Sequence, residues 1–581
     1  MPLLTWNGKE KVLNHHLDVP YHTLKAEYTY PKNAVPDGSL IIHGDNLLAL
    51  KALLPQYEGR VKLIYIDPPY NTGNENWVYN DNVNDPKIKK WIGEVVGKEG
   101  EDFSRHDKWL CMMYPRLKLL HKLLREDGVI FISIDDNEQA NLKLICDEIF
   151  GSNCLVSNVS WQRTYSTRND SKGIVTEVEH ILLYSKQPNW QPHTLPRTEL
   201  MDAKYKNPDN DEHPWTSSSV TAPSAATHQG MVYAIQHPFT GELMYPTTGR
   251  CWCLQQSDML KEMQKWCDYE LKDLEDSQRR AEVCGVPKTS VRQGVCGIVL
   301  SDSLSISSAK ANAVLSNGAW PYFYFTNGGK GGIRRKTYLK DVGGRLITNY
   351  WSYAEVGHTD EAKKELLSIF HGLTQFDTPK PTRLIERILQ IAIEPDSIIL
   401  DSFAGSGTTA HAVLNLNKQD GGNRKFILVE MEDYAETITA ERIRRVIDGY
   451  GEGEKKVAGT GGSFSYCKLG EAVFNSDGSL NSEVSEADLR QYVWYAETKS
   501  PLQKIKKSAD NPYYLGTFLN VAYYFYFDKK KPTTLGYAFL RTVKTKAEQY
   551  CLYADSCSLS SEYLESRNIR FRKIPRDIPR Y

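Results

Sequence analysis

Short unbroken apolar runs alternate along this chain with longer stretches in which apolar residues recur every three or four positions. Residues 39–43, 61–66, 128–136 and 179–184 read as buried strands, and so do 397–400 and 425–429 far downstream. Residues 47–54, 105–124, 138–150 and 384–393 carry helical spacing, with Pro115 expected to break or kink the second of these helices. The alternation predicts an α/β fold built on a doubly wound, mostly parallel sheet. It stops between residue 187 and about 329, where prolines, Ser/Thr clusters and aromatic residues replace it and one helix, 256–280, stands out. Five segments follow: an N-terminal arm over 1–36, a first α/β half over 37–186, an insertion over 187–345, a second α/β half over 346–450, and over 451–581 a glycine-rich connector with a smaller mixed α/β unit.

Two loops at strand ends carry the candidate chemistry. The run 61–66 delivers Asp67-Pro68-Pro69-Tyr70 to the carboxyl end of its strand, where ligands bind in open α/β sheets. The prolines stiffen the loop and leave the Pro68 carbonyl without a ladder partner. With the Asp67 carboxylate it offers two fixed acceptors beside an aromatic face, a set that suits an amine with two hydrogens. A proline turn that binds nothing is the plain alternative. The second loop, Asp401-Ser402-Phe403-Ala404-Gly405-Ser406-Gly407-Thr408-Thr409-Ala410, has the G-x-G-x-x-A spacing of a nucleotide-binding turn, and Glu430 ends the next strand where a carboxylate accepts from ribose hydroxyls. The spacing alone fits NAD and S-adenosylmethionine equally. Asp45, between the strand 39–43 and its helix, reads as a helix cap or a ligand contact in equal measure.

Asp-Pro-Pro-Tyr followed by Asn71-Thr72-Gly73, together with Phe-Ala-Gly-Ser-Gly-Thr-Thr and a later Glu-x-Glu, resembles the motifs of amino DNA methyltransferases. The order, catalytic loop before cofactor loop with a large insertion between, resembles their β group. Within it the chain is most similar to the modification subunits of type III restriction systems and their solitary relatives. The resemblance implies a circularly permuted methyltransferase sheet with an inserted target recognition domain, S-adenosylmethionine as cofactor, double-stranded DNA as partner, and Asp67, Pro68, Pro69 and Tyr70 as the catalytic loop. It further implies that Asp45 faces the cofactor's adenine and that Phe376-Asp377-Thr378-Pro379-Lys380-Pro381 packs over its methionine end, adding Asp67, Lys380, Asp401, Phe403 and Ala404 to the cofactor residues with Gly405, Ser406, Gly407, Thr408 and Glu430. Candidate DNA contacts are Asn71, Tyr79 and Arg105 around the catalytic loop, and Arg334, Arg335 and Lys336, a basic run after glycines that reads as a phosphate clamp.

Composition narrows the picture only slightly. The 581 residues require two or three domains, and a net charge of -1 leaves room for a local basic groove but not for bulk coating of nucleic acid. The eleven cysteines lack zinc-site spacing and read as reduced thiols, so no metal is expected. Neither a membrane-spanning run nor a signal peptide is legible, which points to the cytoplasm. No Walker A motif is present, because Gly329-Lys330 runs into glycine, so restriction would need a separate helicase-nuclease or other defence subunit. Methylation of cytosine's amine, RNA or protein, and a catalytically silent DNA-specificity subunit, remain the alternatives. The recognition sequence and a homodimeric working unit are not legible.

Overall fold

The computed structural model describes residues 4–72, 102–166, 173–373, 376–503 and 511–580, and divides into two compact units, 1–193 with 347–581, and 194–346. The larger unit is organised by a ten-stranded sheet. Its elements in chain order are β1 (His22–Tyr30), β2 (Leu40–His43), α1 (Asn46–Tyr57), β3 (Val61–Ile66), α2 (Asp102–Leu123), β4 (Leu124–Ile134), α3 (Gln139–Phe150), β5 (Leu155–Gln162) and β6 (Val178–Ser185). After the smaller unit come β7 (Tyr350–Trp351), α4 (Thr359–Ile369), α5 (Thr382–Ala392), β8 (Ile398–Asp401), α6 (Thr408–Asp420), β9 (Lys425–Glu430), α7 (Glu441–Asp448) and β10 (Phe464–Ala472).

The strand order is β1-β10-β2-β9-β8-β3-β4-β6-β5-β7. The central strands β2, β9, β8, β3 and β4 are parallel, and β3 pairs directly with β8 although more than three hundred residues separate them. Every residue of β3 is buried, as expected of a strand covered on both faces. β6 runs antiparallel to β4, and β5 antiparallel to β6. The start of β6 and the end of β5 therefore arrive at the sheet edge where β3 and β8 finish.

Several expectations are corrected. Residues 22–30 are not a detached arm: they pair with β10 along the sheet edge. β10 itself, beyond residue 450, inserts between β1 and β2, so the α/β unit does not end there. α2 runs through Pro115 without a break. Trp109, Leu110, Met113, Leu117 and Leu120 are buried on both sides of the proline, and that packing offsets the roughly 3 kcal/mol a helix-interior proline costs.

In the smaller unit the long helix expected over 256–280 is instead helix Gln256–Met263, strand Tyr269–Lys272 and helix Ser277–Cys284. The strand pairs antiparallel with Gly297–Leu300, a non-local ladder that overrides local helical spacing. Its core gathers Trp215, Trp252, Trp266, Tyr233 and Phe325. The C-terminal part of the larger unit adds α8 (Glu486–Thr498), β11 (Tyr514–Phe518), β12 (Val521–Phe525), α9 (Tyr537–Leu540), β13 (Gln549–Ala554), α10 (Ser561–Ser566) and β14 (Ile569–Lys573). Its sheet has the order β11-β12-β13-β14. Among the described residues no helix is long and apolar enough to cross a membrane.

Candidate active site

At the end of β3 the chain turns into Asp67-Pro68-Pro69-Tyr70, and the surrounding elements fix this turn. The Trp109 indole, buried on α2, donates to the Pro69 carbonyl at 2.7 Å. The Pro68 carbonyl accepts no hydrogen bond among the described residues, as its position between two rigid rings predicts. Asn71 closes the turn in the left-handed region at φ 58°, a conformation asparagine tolerates, and donates to the buried Glu138 carboxylate, which also bonds His106 Nδ1 at 2.5 Å.

Lys380, from the segment before α5, places its ammonium 2.7 Å from both oxygens of Asp67 and 2.9 Å from the Tyr70 hydroxyl. The same nitrogen lies 5.0 Å from the centre of the Tyr70 ring and 3.8 Å from Glu179. The Tyr70 hydroxyl sits 3.0 Å from Asp67 and 3.1 Å from Glu179, with one proton to share between two carboxylates. Glu179, the second residue of β6, is held from the far side by Arg163 at 2.7 Å. Burial by itself lowers the Lys380 pKa, but Asp67 and Glu179 outweigh it and hold the ammonium above its ordinary value. Burial, reinforced by Asp67 and Glu179, drives the Tyr70 phenol far up, so it stays protonated.

The glycine loop at the end of β8 lies beside this cluster in the sheet. Asp401 folds back on it, accepting from the Phe403 amide at 3.0 Å and the Thr409 hydroxyl at 2.6 Å. Gly405 and Gly407 hold φ of 52° and 82°. A Cβ on Gly405 would come within 3.2 Å of the Phe376 ring, and one on Gly407 within 3.2 Å of the Thr439 carbonyl. Glu430 accepts from the Gly405 amide at 2.8 Å and the Glu432 amide at 3.0 Å. Burial lifts both Asp401 and Glu430 to about 7.

Other expected site residues are held by contacts within the protein. Asp45 caps α1, accepting from the amides of Leu47 and Leu48 at 2.9 and 3.1 Å. The hydroxyls of Ser406 and Thr408 face the buried Arg442 of α7 at 2.9 and 2.8 Å, bracing the loop from behind. Phe403 and Ala404 are buried beneath the turn. Lys336 is no phosphate clamp: it lies in strand Ile333–Tyr338, fully buried, paired with Asp209 at 2.6 Å and Asp211 at 2.5 Å. Burying an ammonium requires such partners. Arg334, in the same strand, donates to the Ser217 hydroxyl at 3.1 Å, and Arg335 is half-buried. Asn71 is fully buried, Arg105 is half-buried on α2, and Tyr79 lies outside the described residues.

Sequence reasoning missed Glu179, Arg163, Trp109, Arg442 and Glu432. For Glu432 a signal existed, the second acid of Glu-x-Glu; its Oε1 is a buried acceptor with no hydrogen-bond partner among the described residues. The Ser402 hydroxyl is left in the same state at the end of β8. These orphaned groups, beside a turn that only glycines allow and the Phe376 and Tyr434 rings packed edge to face at 5.5 Å, fit an adenosyl ligand. Each Glu430 oxygen accepts one backbone amide, which leaves Glu430 and Glu432 both able to accept from a ligand hydroxyl.

Comparison with known proteins places the sequence among DNA methylases. The chain is 35% identical to the Mod subunit of the type III restriction-modification enzyme StyLTI of Salmonella typhimurium over 71% of its length and 54% of the relative's. It is 30% identical to the EcoP15I Mod subunit of Escherichia coli over 74% of its length and 64% of the relative's. It thus spans between half and two thirds of these curated relatives. Among solved structures the cytosine-N4-specific PvuII DNA methyltransferase covers 72% of this chain and 88% of its own at 13% identity and a TM-score of 0.33, a likeness too remote to assign chemistry. The sequence profile of the DNA methylase family matches residues 61–270 and 309–441, more than half of the chain, and with both of its motif loops meeting at neighbouring strands the chain belongs to that family.

Proposed function

We propose that this protein transfers the methyl group of S-adenosylmethionine to the exocyclic amine of an adenine flipped out of a short motif in double-stranded DNA. The observation that carries the reading is the placement of Asp67 and the Pro68 carbonyl, unpaired among the described residues, at the end of β3, next to the glycine loop at the end of β8. When bound, S-adenosylmethionine supplies an electrophilic methyl on a sulfonium. Everything else falls to the chain. Adenine's amine is a poor nucleophile because its lone pair is delocalised into the ring. Acceptance of its two hydrogens by Asp67 and the Pro68 carbonyl favours pyramidal nitrogen and stabilises the positive charge that develops there. Tyr70 offers a ring to stack on the extruded base, offsetting part of the few kcal/mol that flipping costs. Lys380 acts as a positioning residue, fixing the Asp67 carboxylate through both oxygens, while Glu179 and Arg163 hold the Tyr70 hydroxyl. The names of the Mod relatives favour a subunit of a restriction-modification enzyme; a separate restriction subunit, a cytoplasmic location and a homodimer belong to the same proposal.

Single-molecule sequencing of plasmid DNA incubated with the purified protein and S-adenosylmethionine tests this, with Asp67→Ala as control. Methyladenine confined to one short motif, and absent from the control, is the expected result. Methylcytosine, or no modified base although the cofactor binds, overturns the adenine assignment.

A further inference from the structure

On the C-terminal sheet, α9 and α10 border a cavity of about 510 Å³, within the range of small-ligand sites. Leu552 of β13 and Ile569 of β14 form part of its apolar lining. Tyr537 and Tyr563 line it as an edge-to-face pair, centroids 5.1 Å apart, and Tyr537 is 57% exposed. Arg541 and Arg567 complete the lining, the Arg567 guanidinium 5.9 Å from the centre of the Tyr563 ring. No carboxylate lines the cavity, and neither arginine has an acidic partner among the described residues. Elsewhere in this part of the chain Arg570 and Arg572 pair with Glu497 and Arg576 with Asp577, while Arg490 and Arg580 donate to the Tyr514 and Gly478 carbonyls. The loop beyond Arg541 adds Lys544 and Lys546 and is held by the Tyr550 hydroxyl, which donates to the Thr545 carbonyl at 3.2 Å and accepts from the Ala547 amide at 3.1 Å.

An exposed ring and a half-buried one beside guanidiniums without an acidic partner among the described residues are what a nucleotide needs, a face for its base and charge for its phosphate. We propose that this cavity binds one nucleotide of a single-stranded DNA segment, its base on Tyr537 and Tyr563 and its phosphate on Arg541 and Arg567. The site is separate from the methyl-transfer loops, and the proposal rests on the reading of this chain as acting on DNA. It is tested on the full-length protein with a fluorescent ten-residue oligothymidylate, and with thymidine monophosphate to distinguish a strand from a free nucleotide. Tyr563→Ala and Arg567→Ala should each weaken oligothymidylate binding about tenfold, with Tyr563→Phe close to wild type. Unchanged affinity in the first two, or an equal loss in Tyr563→Phe, overturns the proposal. Photocrosslinking of the unmodified protein to a 5-iodouracil oligonucleotide avoids reliance on variants: adducts at Tyr537 or Tyr563 support the site, and adducts solely elsewhere refute it. Because Asp67→Ala should leave the crosslink intact, failure of the methylation reading and failure of this one are distinguishable.

Discussion

Asp67 does not act alone, and its neighbours set what single substitutions do. Lys380→Met removes the cation that holds both of its oxygens and leaves Asp67 near Glu179 with only Arg163, on the far side of Glu179, to offset them. Methyl transfer should fall on the order of a hundredfold, the scale of losing one preorganised electrostatic contact. Lys380→Arg should recover part of the rate, and a change in KM for DNA without one in kcat would contradict the positioning role. Glu430 makes a pH-dependent prediction. Its folded pKa is raised from 4.5 to about 7, so the native state binds the extra proton in between, and stability from this group is lost as pH rises from about 4.5 through 7. Relative to wild type, Glu430→Gln should therefore gain stability over that window and level off above it, as read by urea midpoints at each pH. A difference that grows toward low pH would reverse the sign and reject the assignment.

At the level of elements, each loop is held by structure on both sides. The turn into α6 requires left-handed glycines, so Gly407→Ala forces a Cβ against the Thr439 carbonyl and costs about 1–2 kcal/mol of backbone strain besides. Cofactor affinity, measured by calorimetry, should drop while the helical content is kept. Strand Ile333–Tyr338 shows the opposite lesson, a basic run in which Lys336 is buried against Asp209 and Asp211 while Arg334 and Arg335 stay half-buried. Lys336→Met leaves Asp209 buried and unpaired, for which about 3–5 kcal/mol is expected. The loss should appear as a lowered thermal transition. A loss of DNA affinity at unchanged stability would restore the phosphate contact instead. The helices and central strands were legible because a continuous apolar run or a helical stripe is a local pattern. Lys336 was not, because charge in a sequence does not reveal which face of a strand it occupies.

On the scale of the molecule, the sheet is assembled from three separated stretches of chain, and β10 is wedged between β1 and β2. A protein ending at residue 450 would leave the β2 edge bare, and exposed edge strands pair with other chains. It should aggregate on gel filtration, where a monodisperse, folded 1–450 fragment would show that β10 is dispensable.

The sequence by itself determined the two strand-end loops, their residue types and the α/β class, because these follow from apolar periodicity, proline stiffness and the demand for glycine in a tight turn. Only the tertiary structure decided that β3 and β8 are neighbours, that Lys380 reaches Asp67 across more than three hundred residues, and that antiparallel β6 brings Glu179 to the same edge. Those contacts depend on strand order and direction, which arise from how the whole chain packs its apolar faces and leave no mark on the local pattern of any one segment.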